Sequence, residues 1–193
     1  MKALAVTDIL PHAEYEKQRA ALRKEALAQR ERRRFELADA CVVIFENRGT
    51  VQYQVQEMLR VDKDDSPERI ALELSCFNLL IPGEHELSAT LVIRVPEYRE
   101  VDNALQRLNG ITRQCISLRI GDEDVYAHFD VDEDTLVCDS DVFYIRFSLT
   151  PEQAAAFSNP AVDAVLRSVH EKCMAEVPVT GAARKSLIED LNA

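Results

Sequence analysis

Glycine is scarce in this chain, with five in 193 residues. None falls into the G-x-x-x-x-G-K-[ST] or G-x-G-x-x-G pattern, which excludes the usual phosphate-cradling loop and dinucleotide fingerprint. A G-x-S-x-G nucleophile elbow is absent as well. No apolar run approaches the roughly 20 residues needed to cross a bilayer, so no membrane span is expected. The five cysteines (Cys41, Cys76, Cys115, Cys138, Cys173) form no C-x-x-C pair. The opening M-K-A-L-A-V-T-D lacks the signature of a secretory signal. An odd, unpatterned cysteine count without such a signal predicts reduced thiols in a cytoplasmic protein, mostly buried as small hydrophobes. Positive charge is also short: 23 Lys and Arg against 34 Asp and Glu leave a net −11. Nucleic-acid binding needs clustered positive charge, so an acidic body argues against it.

What is present suits a globular chain, 47% apolar and 30% charged. Its length predicts a single domain over 1–193. Residues 1–34 form a basic helical segment with nine Lys/Arg and five Asp/Glu, and 35–193 form the body, with fourteen against twenty-nine. The basic segment either meets an anionic partner or folds back onto the body's own acidic surface.

Periodicity places the elements. Thr7 is read as the cap of a helix running by way of Pro11 to the arginines at 32–34. Its thin stripe of Tyr15, Gln18, Leu22, Ala26 and Gln29 sets it on the outside of the fold. Leu37 to Phe45 reads as one strand. A helix follows from Thr50, with Val51, Val55, Met58 and Leu59 on one face. Ser66-Pro67-Glu68 opens the next helix. Ile70, Leu74, Phe77 and Ile81 make one apolar stripe there and Leu72, Cys76 and Leu79 a second, so this helix is expected to be sandwiched. Strands are read at 87–95, 115–120, 125–131 and 142–149. Short helices are read at 101–108 and after the Thr150–Gln153 capping box. Residues 162–169 fit strand or helix, and a last helix follows Thr180-Gly181. Strands clustered late in the chain predict an α+β fold with a mostly antiparallel sheet packed with several helices.

The densest polar block is F-E-N-R-G-T-V-Q-Y-Q-V-Q-E-M-L-R, Phe45 to Arg60, at a strand-to-helix junction where working residues often lie. F-E-N-R, Thr50, Gln54 and Q-E-M-L-R resemble the signature of a bacterial family, the domain of unknown function numbered 3501. Arg33-Arg34, L-I-P at 80–82 and L-S-A-T-L at 87–91 resemble it too, and the similarity runs through nearly the whole chain. It is weakest after Asn159, where V-H-E-K-C surrounds His170 and the family is expected to carry an Asp-His-Pro-like turn. The family has no established activity. Its members resemble products of genes beside rubrerythrin-like and iron–sulfur oxidoreductase genes, and the resemblance therefore implies a redox setting.

Two functional readings follow. In the first, the chain is an uncharacterised accessory protein that docks on such a redox partner through Glu46, Asn47, Arg48, Gln54, Gln56, Glu57 and Arg60. In the second, it is a small enzyme with Glu57 as acid or base and Arg48 and Arg60 clamping an anionic substrate. A purely structural reading stands beside both: Asn47 holds the turn, and Glu46, Glu57 and the arginines form an ion-pair network. No cofactor is expected. Glu46, Glu57 and His85 are the candidate ligands should iron or zinc bind, although the Glu-x-x-His of di-iron helices is missing. The acidic run 130–134, with Asp141, resembles a calcium loop without its glycine and reads better as a solvated turn. Cys173 and His170, three apart, are a weak nucleophile–base candidate. Self-association into a homo-oligomer is left open.

Overall fold

The computed structural model describes residues 1–95, 100–130 and 141–193. The fold is α+β, with helices layered on two antiparallel sheets. After a 3-10 turn at Val6–Asp8, helix α1 spans His12–Arg32. Thr7 thus lies inside that turn and Pro11 is the residue that caps α1, its fixed φ starting the helix. Strands β1 (Arg34–Leu37) and β2 (Cys41–Glu46) form a hairpin where the sequence reads as one strand. The reversal uses Ala38 at φ 50°, a left-handed position without the Gly or Asn that usually announces one.

Helices α2 (Arg48–Asp62) and α3 (Pro67–Phe77) follow, then a 3-10 turn at Asn78–Leu80 and strand β3 (Glu86–Ile93). Helix α4 (Val101–Arg107) leads to β4 (Ile116–Ile120), β5 (Glu123–Tyr126) and β6 (His128–Phe129). Beyond β7 (Val142–Ser148) come α5 (Pro151–Ser158), β8 (Ala164–Ser168), β9 (Ala175–Pro178) and α6 (Gly181–Leu191). The ambiguous 162–169 segment is therefore largely strand.

One sheet has the order β1-β2-β3-β7-β6 and the other β5-β4-β8-β9. The run at 125–131 reads as a single strand but divides at Ala127, so that β5 joins one sheet and β6 the other. Odd-numbered residues of β2, β3 and β7 (Val43, Phe45, Leu87, Leu91, Ile145, Phe147) face inward. They share one core with Ile116, Leu118 and Leu166 of the second sheet and with Leu187 of α6. A period of two put those side chains on one face.

The outer face of the first sheet carries Glu46, Ser88 and Thr90, all buried. Helix α2 covers it there, and Thr50 and Gln54 reach down to Glu46. A second core holds Val51, Val55 and Leu59 of α2 against Ile70 and Leu74 of α3 and Leu4 and Ile9 of the N-terminal segment. Helix α3 is not sandwiched. Ile70 and Leu74 are buried, but Leu72 is 52% and Leu79 63% exposed, because no element among the described residues lies over its second stripe.

Candidate functional site

The signature block turns the chain from β2 into α2, and its polar side chains meet partners within the molecule. Asn47 caps α2: its Oδ1 accepts from the Gly49 and Thr50 amides at 3.0 Å each, and its own N–H donates to Thr50 Oγ1 at 2.9 Å. Reciprocal caps of this kind hold a helix start by about 1 kcal/mol. The amides that would greet an anion at this N-terminus are thus occupied by a side chain of the same turn.

Glu46 is fully buried. Its carboxyl accepts from Thr50 Oγ1 at 2.5 Å, Thr90 Oγ1 at 2.8 Å and Gln54 Nε2 at 3.3 Å, so three neutral donors from α2 and β3 converge on it. Burial of a carboxyl requires such partners, and here they tie helix to sheet.

Glu57 lies farther along α2, on the side facing α1. Arg19 grips it with two hydrogen bonds of 2.8 Å, and the Tyr15 hydroxyl donates to it at 2.6 Å. The Arg19 guanidinium holds the Glu57 carboxyl below the usual carboxylate range against partial burial, and the Tyr15 hydroxyl adds to that pull. Burial first, and then the bond to Glu57, push the Tyr15 phenol up. Arg60, one turn farther along α2, pairs with Glu16 of α1 at 2.6 Å.

Arg48 pairs with Asp8 at 2.7 Å. Twelve residues separate Arg48 from Arg60, about 18 Å along a helix, so the two guanidinium groups do not close on one small anion. Gln56, 4% exposed, accepts from the Leu10 amide at 2.7 Å and donates to its carbonyl at 3.3 Å. Gln52 donates to the Asp8 carbonyl at 2.6 Å. The glutamines of α2 thereby satisfy the backbone of the segment leading into α1.

Arg33, noticed in the sequence only as part of the Arg33-Arg34 resemblance, is the buried hub of this region. At 1% exposure it donates to the carbonyls of Phe45 and Glu46 (2.9 and 3.1 Å), to Ser186 Oγ (2.7 Å) and to the carboxylate of Asp190. Asn47 Nδ2 reaches Asp190 as well, at 3.4 Å. The network fastens the end of β2 to α6. An arginine in the middle of a basic run gives little signal of burial, and Asp190 lies too far along the chain for spacing to pair them.

Among the described residues no three His, Cys, Asp or Glu side chains gather as a metal site. Glu46, Glu57 and His85 do not converge: the two glutamates have the separate partners above, and His85 sits in the loop before β3 at φ 53°. The acidic run 131–134 lies outside the described residues. His170 is turned away from the role of base to Cys173, since its Nδ1 accepts from the Lys172 amide (3.3 Å) and its Nε2 then donates to the Asn109 carbonyl (3.1 Å). A cleft of about 170 Å³ opens between α1 and α2, lined by Tyr15, Leu22, Gln29, Gly49, Gln52, Tyr53 and neighbours.

This is a helix-on-sheet protein whose signature residues lock helices to the sheet. Over residues 3–191 it matches the model of a family described as protein of unknown function (DUF3501), and it belongs to that family. A similar solved structure is that of a novel protein of unknown function from Burkholderia pseudomallei K96243, determined at 1.90 Å. The two chains are 27% identical and superpose with a TM-score of 0.88, over 98% of this chain and 100% of the other. No curated protein matches.

Proposed function

We propose that this chain is an accessory binding protein of the bacterial cytoplasm that docks on a redox partner, a rubrerythrin-like protein or an iron–sulfur oxidoreductase. One observation carries the docking: Val61, Leu72 and Leu79, from α2 through the turn after α3, are each more than half exposed. Meanwhile the polar groups of the signature block are engaged within the chain. A helical layer that offers large apolar side chains has the composition of an interface core. The redox character of the partner rests on the gene neighbours that the family resemblance implies. No helix is long and apolar enough to cross a membrane among the described residues.

The test is calorimetric titration of the purified chain against each purified partner, with Leu72→Glu and Leu79→Glu as variants. A complex with one partner, weakened about tenfold or more by either charge, is expected. Absence of binding to both partners at about 100 μM, or binding indifferent to both substitutions, overturns the reading.

The second reading, an enzyme using Glu57 with arginine clamps, is favoured by the cleft bordered by Tyr15, whose hydroxyl holds Glu57. Two features weigh against it. A carboxyl held low by Arg19 is a poor proton donor near neutrality, and Arg48 and Arg60 lie at opposite ends of α2. Loss of turnover in Glu57→Gln with an intact fold, once an anionic substrate is found, is the result that would promote it.

A further inference from the structure

Two cysteine sulfurs meet in the core away from the signature block. Cys41 opens β2 and Cys173 lies in the turn between β8 and β9; they are 0% and 1% exposed. The Cys173 thiol reaches the Leu37 carbonyl at 3.3 Å, and Leu37 is the register partner of Cys41 across the β1–β2 hairpin. The Cys41 thiol is near enough to Cys173 to favour a thiolate there. Ser168 stands beside them with its buried hydroxyl unpartnered among the described residues. It makes no bond to the neutral thiol but is placed to donate to a thiolate at Cys173.

We propose that Cys41 and Cys173 form a redox-modification site, a buried dithiol that closes reversibly into an intramolecular disulfide when the protein meets a peroxide. The inference goes beyond the docking reading and does not depend on it. The Cys173 thiolate attacks one oxygen of hydrogen peroxide, the O–O bond breaks, and hydroxide leaves to take a proton and become water. The Cys173 sulfenic acid so formed is attacked by the Cys41 sulfur; the S–S bond forms and a second water departs with the Cys41 proton. Two thiols thus give up two electrons to one peroxide, and a dithiol reductant returns them.

The roles follow from the surroundings. The neighbouring Cys41 side chain brings the Cys173 thiol down to about 7 against the opposing effect of burial, which makes it the attacking sulfur. Cys115, nearby and partly exposed, is pushed up by burial and by Cys173, so it is the weaker nucleophile. A groove of about 410 Å³ includes Ala40 and Lys172, the chain neighbours of the two cysteines, in its walls, and brings small solutes within one residue of the pair. Closing the bond links the β1–β2 hairpin of one sheet to the β8–β9 turn of the other.

The experiment exposes the full reduced chain to hydrogen peroxide, blocks the remaining thiols, and maps disulfides by mass spectrometry of non-reduced peptides. A Cys41–Cys173 peptide lighter by two hydrogens, lost on treatment with dithiothreitol, is expected, with a rise in the thermal midpoint of several degrees. A Cys76→Ser, Cys138→Ser background removes competing links without touching the pair. Cys41→Ser and Cys173→Ser should each abolish the linked peptide, and wild-type mapping decides the matter if either variant fails to fold. The proposal is overturned if Cys41 and Cys173 stay reduced under peroxide that fully oxidises exposed Cys76. It is overturned equally if Cys173 links to Cys115 or passes to sulfinic acid with Cys41 intact.

Discussion

Replacing Arg33 by Met is the sharpest test of what holds the signature region in place. The methionine fills much of the arginine's volume, so the change isolates charge and hydrogen bonding from packing. It leaves the Phe45 and Glu46 carbonyls without their side-chain donor, releases Ser186, and among the described residues leaves the Asp190 carboxylate with the 3.4 Å bond from Asn47 alone. Removing one member of a buried ion pair costs about 3–5 kcal/mol. That is a large share of the roughly 5–15 kcal/mol that keeps a domain folded. In urea the transition should move down by about 1–2 M at pH 7 with little change in slope.

The pH dependence supplies an independent check. Burial already pushes the Asp190 carboxyl up, and Arg33 is the main pull the other way. Without Arg33 the folded-state value rises further above the unfolded one, so the folded chain holds a proton that the unfolded chain releases. Stability of the variant is then retained at acid pH and lost as pH rises through the raised value. Arg33→Met should therefore lie closer to wild type at pH 5 than at pH 8. Arg33→Met with Asp190→Leu should regain most of the loss, since an apolar pair replaces the ionic one. A loss below about 1 kcal/mol at pH 7, or a deficit that grows toward acid, would refute the assignment of Arg33 as hub.

Other predictions concern the contacts around it. Glu46→Ala takes the acceptor from buried Thr90 and from half-buried Gln54, while Thr50 Oγ1 keeps the Asn47 carbonyl, and should destabilise by about 2–3 kcal/mol, whereas Glu46→Gln keeps an acceptor oxygen and should cost about 1 kcal/mol in the same urea assay. Gln56→Ala strips both backbone groups of Leu10 of their partner, for a loss of about 1–3 kcal/mol, with amide exchange of residues 4–10 accelerated first. Because the Glu57 carboxyl is held low, its bond to Arg19 adds stability above the usual carboxylate range. That contribution is lost as pH falls through the folded value. Wild type and Glu57→Gln should accordingly differ at pH 7 and converge in acid, as followed by circular dichroism. Leu72→Glu and Leu79→Glu should change stability by no more than about 0.5 kcal/mol, which separates any loss of partner binding from loss of fold.

Much of the architecture is legible in the order of residues because its signals are local. The Thr150–Gln153 capping box opens α5, Ser66-Pro67 opens α3, and alternation at 87–93 and 142–148 sets the inward faces of β3 and β7. The failures share a cause of another kind. The β1–β2 turn relies on Ala38 at positive φ, a conformation imposed by the pairing of Leu37 with Cys41 and not announced by its own chemistry. The split at Ala127 arises because its amide bonds the Ile116 carbonyl in one sheet while His128 pairs with Arg146 in the other. Alternation continues through such a crossing undisturbed. For α3, two apolar stripes suggested two covering layers, and only the presence or absence of a neighbour decides that.

The same distinction explains why Phe45–Arg60 draws attention as a site and yet makes its bonds inside the molecule. A strand that turns directly into a helix across its own sheet buries backbone and side-chain polar groups where the two elements touch. Each of these needs a partner. Asn47 and Thr50 satisfy the helix start, Thr50, Gln54 and Thr90 satisfy Glu46, and Gln52 and Gln56 satisfy the segment that crosses over α2. A polar cluster with this job is as particular in identity and spacing as a catalytic one, because each donor must reach one acceptor. Its resemblance to a reactive centre in the sequence therefore has a physical basis that does not require chemistry. Among the charged residues that the helical layer turns outward, Val61, Leu72 and Leu79 are large apolar side chains more than half exposed, and the docking proposed above is to be sought there.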